Sequence, residues 1–141
     1  MVAFNKFNPF PEYLAEQAFN LGSDSLKVAL CNTAPVAANG LLGDLTEISN
    51  GNGYTTGGTS ASISSSSQTS GTYKLVLADV VFTASGGSIG PFRYAVLYDA
   101  TATSPLKPLI GYWDYGSSIT IASGSTFTVD FDASTGVLTL A

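Results

Sequence analysis

The amino-acid sequence predicts an all-β protein, an antiparallel β-sandwich or small barrel with a short N-terminal helix and an extended N-terminal arm. Three observations carry that expectation. After residue 25 the apolar residues recur at a period of two, the spacing of strands with one buried face. Turn signals separate these runs, among them Asn39-Gly40, Asn50-Gly51, Asn52-Gly53 and Ser123-Gly124. Hydroxyl side chains, 18 Ser and 15 Thr, outnumber the 15 charged residues, where an ordinary soluble domain carries about a quarter charged residues. A surface solvated by hydroxyls and backbone suits broad β-surfaces that meet other protein.

At 141 residues and 45% apolar content, the chain fits one domain with its own core. Residues 1–22 form the arm and helix, and residues 23–141 a single antiparallel β-domain. In the arm, Phe4, Phe7 and Phe10 stand three apart among polar residues. A helix is expected from Pro11, which suits a first helical position, to Leu21. Leu14, Ala18 and Leu21 share its face, and Gly22 ends it. Leu26, Val28 and Leu30 then alternate along a strand. A Gly-rich stretch of turns follows, and residues 59–72, nearly all Ser or Thr, read as an exposed loop with a weak edge strand near Ile63.

The second half is denser in strands. Tyr73, Leu75 and Leu77 alternate, but Val80 and Phe82 continue on the opposite parity, so Ala78-Asp79 marks a bulge or a bend between sheets. Arg93–Tyr98 is apolar on both parities and reads as a central strand covered on both faces. Leu109–Tyr115 forms an aromatic strand. Ile119–Ala122 and Ser125–Phe131 flank Ser123-Gly124 as a hairpin, with Phe127, Val129 and Phe131 facing in. Gly136–Ala141 supplies the last strand.

Composition argues against several kinds of function. Without His, neither the Ser-His-Asp nor the Cys-His arrangement can form. Cys31 stands alone, which rules out an intrachain disulfide and a zinc cluster. Lys6, Lys27, Lys74, Arg93 and Lys107 are scattered on a chain of net charge −5, so neither nucleic acid nor a membrane is an expected partner. No secretory signal or apolar span is apparent, and synthesis in a cytosol is expected.

The remaining candidates for chemistry have structural alternatives. Cys31 reads as a packing cysteine. Asp130 and Asp132 share a face through strand alternation alone, on a solvated surface that would not raise a catalytic pKa. The Gly pairs at 57–58 and 86–87 fit no phosphate-binding pattern and read as turns. Tyr112 and the pair Trp113/Tyr115 point to opposite faces of a strand, which favours core packing over a sugar-stacking platform. No enzymatic activity, metal or cofactor is expected.

Several segments read together as familiar: LKVALCNTAPVA (Leu26–Ala37), DLTEISNGNGYTTGG (Asp44–Gly58), FRYAVLYDAT (Phe92–Thr101), PLIGYWDYGSSITIASG (Pro108–Gly124) and TFTVDFDASTGVLTL (Thr126–Leu140). In this order they resemble a family of small structural proteins of tailed-bacteriophage virions. The resemblance implies a capsid decoration (cement) protein, β-rich and homotrimeric, that binds the major capsid protein across subunit seams and resides in the virion. It carries over no catalytic residues. A tail or fibre-associated role is the alternative within that field, and a carbohydrate-binding adhesin module the alternative outside it. Phe4, Phe7 and Phe10 are the candidate partner-binding residues, as an arm that orders on a neighbouring subunit. The competing possibility is that the rings fold back onto their own sandwich.

Overall fold

Tyr94–Asp99 are buried at every position, so this segment needs cover on both faces, and the molecule is laid out around it. The structure, a computed structural model, describes residues 2–141. Its strands are β1 (Phe4–Lys6), β2 (Leu26–Cys31), β3 (Thr59–Ala61), β4 (Ile63–Thr69) and β5 (Thr72–Leu77), then β6 (Val80–Thr83), β7 (Ile89–Asp99), β8 (Leu109–Ile121), β9 (Thr126–Val129) and β10 (Leu138–Leu140). One helix, α1 (Phe10–Ala15), lies between β1 and β2. The all-β expectation holds. Three open antiparallel sheets form, in the orders β1-β8-β7-β2-β3, β10-β5-β4 and β6-β9, with no closed barrel.

Period-two alternation sorts the central sheet. Val28, Leu30, Ala95, Leu97 and Trp113 face one core, which they share with Leu75 and Leu77 of the second sheet and Val80, Phe82 and Val129 of the third. Ala29, Cys31, Tyr94, Val96, Tyr98 and Leu109 face the other way. That second face is covered by chain rather than by a sheet: Phe7 and Leu42 pack on it, with Leu45 and Tyr112 at its margin.

The arm is corrected by this arrangement. Phe4, Phe7 and Phe10 are not held out for a neighbour; they fold onto their own chain. β1 pairs with the edge of β8, setting Phe4 opposite Trp113. The Phe4 ring lies 5.3 Å from Trp113 on one face, and the Phe7 ring 5.2 Å from Tyr112 on the other. Phe7 and Phe10 are fully or almost fully buried, at 0% and 2% exposure. The arm therefore clips over the sheet edge. Gly111 makes room for it, because a Cβ at that position would overlap the Phe4 ring.

The helix is shorter than its periodicity predicts. It ends at Ala15, where Gln17 takes a left-handed φ of 65° and the N–H groups of Gln17 and Ala18 reach back to Leu14 and Tyr13. Ending there turns Phe19 back to meet Phe10 at 5.1 Å. Burial of that pair overrides the Leu14–Ala18–Leu21 spacing.

In the run 59–72 the edge strand expected near Ile63 is present, as β4, while the loop expected around it is corrected to a second strand, β3, and a tight turn. β3 pairs with β2 and β4 with β5, joined by a two-residue turn at Ser70 and Gly71, both with positive φ, the geometry that suits the twist of a hairpin. The switch at Ala78-Asp79 is the expected bend between sheets: β5 belongs to the second sheet and β6 to the third. The expected hairpin at Ser123-Gly124 does not pair. Its turn closes, with Ser125 N–H donating to the Ala122 carbonyl, but β9 crosses to β6 instead of returning along β8.

Because Phe7 fills the second core, replacing it with Ala is expected to lower the unfolding free energy by about 3–5 kcal/mol, read from urea denaturation. Deleting residues 2–10 should likewise lower the melting temperature. Unchanged stability in both variants would show that the arm is peripheral.

Candidate functional site

The residue types that could carry chemistry are consumed by the fold. Cys31 is fully buried. Burial, and then the charge of Glu47, push its thiol up to about 12, so it is a protonated packing group at neutral pH. Tyr112 packs against Phe7 and Tyr94, Trp113 against Phe131 and Tyr115 against Phe127. These rings face opposite sides of the sheet and offer no common platform to a sugar. Asp130 is exposed, whereas Asp132 is tied into the turn that follows it.

Seven of the ten carboxylates (Asp24, Asp44, Glu47, Asp79, Asp99, Asp114 and Asp132) accept hydrogen bonds from backbone N–H groups. Asp44 Oδ2 takes Gly40 and Leu41, each at 3.0 Å. Asp132 Oδ1 takes Ser134 at 2.7 Å and Thr135 at 3.3 Å. Asp79 takes Phe131, and Asp24 takes Asn20. Asp114 takes Gly116 while forming a two-pronged pair with Arg93 at 2.7 and 3.0 Å. Glu47 Oε2 accepts Gly57 N–H at 2.8 Å and the Tyr54 hydroxyl at 2.6 Å; that hydroxyl in turn accepts Leu30 N–H. Asp24, Asp44, Asp114 and Asp132 close local turns, whereas Glu47 and Asp79 tie separate segments together. Backbone bonds hold Asp44 and Asp132 below the usual carboxylate range, and the Arg93 guanidinium does the same for Asp114.

Asp99 differs. It is completely buried at the end of β7, and its Oδ1 accepts Thr101 and Ala102 N–H at 2.7 and 3.2 Å. Its Oδ2 has no hydrogen-bond partner, and the carboxyl of Asp24 is a neighbour. Desolvation, then that neighbour, push its pKa up to about 6. Among the described residues no group of three or more His, Cys, Asp or Glu side chains converges on one point.

What remains for function is surface. Ser64, Ser65, Ser67, Gln68 and Thr69 of β4 are exposed, and β4 has no neighbour on one side. Beside it opens a cleft of about 630 Å³ whose lining includes Leu14, Phe19, Leu21, Ser66, Tyr73 and Leu140. Residues 48–73, which include β3 and β4, contain no charged side chain. Val36 and Leu106 are exposed on loops, at 61% and 57%. Sequence reasoning placed a weak edge strand near Ile63 but not its full length, because the side chains of β4 do not alternate in polarity. Asp99 leaves a local trace, an Asp two residues before Thr101, the pattern of a side chain bonding its own backbone.

Two measurements check this picture. Asp99 binds its proton more tightly in the folded chain than in the unfolded one, where the ordinary value is 3.8. Its contribution to stability is therefore complete below 3.8 and is lost as pH rises through about 6. Relative to Asp99→Asn, which can keep the turn bonds, the wild type should lose stability across that window in paired denaturation curves; parallel curves would refute the assignment. Cys31 should resist alkylation in the native protein at mildly alkaline pH and react once denaturant is added.

No family model, curated protein or solved structure matches this chain, so its function must be argued from the surface just described.

Proposed function

We propose that this protein is a non-enzymatic structural component of a tailed-bacteriophage particle, attached to the major capsid protein and bridging capsid subunits. The observation that carries this is the small number of charged side chains, 11% of the chain. Ten acidic and five basic side chains are few for 141 residues. A freely diffusing protein keeps its surface charged, at about 25–35% of surface residues, to stay apart from its neighbours. A surface of hydroxyls, open strand edges and exposed Val36 and Leu106 suits lasting contact with other protein.

The resemblance of Asp44–Gly58, Phe92–Thr101, Pro108–Gly124 and Thr126–Leu140 to small virion proteins supports the same reading. The task also fits the fold. A shell under the pressure of packaged DNA gains from added contacts across its seams, and such contacts need area and repeated valency rather than chemistry.

Quantitative mass spectrometry of purified virions is the test. A decoration role requires hundreds of copies per particle. A few copies would instead place the chain in the tail or a fibre, and absence from virions, or recovery of the protein on glycan arrays, would overturn the proposal.

A further inference from the structure

We propose that two copies of this chain pair edge to edge through β4, in antiparallel register about a two-fold axis at Ser67, making one six-stranded sheet from two three-stranded ones. The inference stands on the edge itself and holds whether or not the protein belongs to a particle.

Open strand edges carry unpaired N–H and C=O groups, and proteins blunt them with short strands, Lys, Pro, bulges or cover. The other strands at open sheet edges are short: β1, β3 and β10 have three residues each, and β6 and β9 four. β4 has seven, Ile-Ser-Ser-Ser-Ser-Gln-Thr, with neither charge nor Pro. Its irregularity is confined to one end, between Ile63 and Ser65, and Ser65–Thr69 pair in unbroken register with Val76–Thr72 of β5. Antiparallel pairing occupies the backbone groups of alternate residues on that side, and the others point outward.

A second copy fits this edge for two reasons. Each chain carries a net charge of −5, so two copies repel one another generally. The uncharged stretch 48–73 is where they can approach without opposing like charges. The edge is also complementary to itself. A two-fold axis at Ser67 sets Ser67 opposite its own copy, Ser66 opposite Gln68, and Ser65 opposite Thr69. Every opposed pair is then small or uncharged, and opposed residues share a face. An interface of this kind, the same patch on both partners, is the commonest way for identical chains to associate.

Sedimentation velocity across a micromolar to millimolar series tests the proposal. The wild type should show reversible dimers, and Ser67→Lys, which opposes two ammonium groups across the axis, should weaken them by about tenfold or more. The double variant Ser65→Lys, Thr69→Glu sets each Lys opposite a Glu of the other copy and should retain the dimer. Hydrogen exchange in wild-type residues 62–72 should slow as concentration rises, which gives a readout that needs no variant. The proposal is overturned by a wild type that stays monomeric throughout, by dimers that Ser67→Lys leaves intact, by exchange in β4 that ignores concentration, or by a trimer indifferent to these substitutions.

Discussion

A strand with no free face sets the terms for this molecule. Tyr94–Tyr98 present apolar side chains to both sides of the central sheet, and water must be excluded from each. One side is covered conventionally, by two smaller sheets whose Leu75, Leu77, Phe82 and Val129 enter a shared core. The other has only irregular chain to cover it. Loops over an apolar surface are a costly solution, because their backbone groups need partners that water would otherwise supply.

The acidic residues answer that need. Asp44 gathers the N–H groups of Gly40 and Leu41 beside the buried Leu42. Glu47 joins Gly57 and Tyr54, and through the Tyr54 hydroxyl reaches Leu30 of β2. Tyr98 closes the same region from below, its hydroxyl donating to the Gly57 carbonyl at 2.6 Å. Side chains that elsewhere keep a protein soluble are here spent on holding loops in place.

This division explains what could be seen in the residues alone. Leu26–Cys31 and Arg93–Tyr98 are legible as strands because their burial is written in their own side chains. The bend at Ala78-Asp79 is legible because changing sheets reverses the parity. β4 is legible only near Ile63, since the rest of a Ser-rich strand exposed on both faces has the composition of a loop and owes its pairing to β5. The ends of α1 and the partner of β9 depend on contacts from distant parts of the chain, Phe10 with Phe19 and Val80 with Val129, and no local pattern encodes them. The same holds for Phe4, Phe7 and Phe10. Their apolar bulk shows that the rings need burial, while the surfaces that receive them, β8 for Phe4, the second face of the central sheet for Phe7 and Phe19 for Phe10, are set by the fold.

That last separation governs the order of assembly. Asn5 and Tyr112 stand 107 residues apart in sequence, yet β1 has its place only on the edge of β8. During synthesis the arm leaves the ribosome long before β8 exists, so the Phe4 ring stays unprotected until Leu109–Ile121 has joined β7 and brought Trp113 to it. Contacts this distant must close a large loop before any burial repays them, which slows folding. The clip over the sheet edge is consequently a late event, and nascent chains interrupted before residue 109 carry a β1 segment with no strand to pair with.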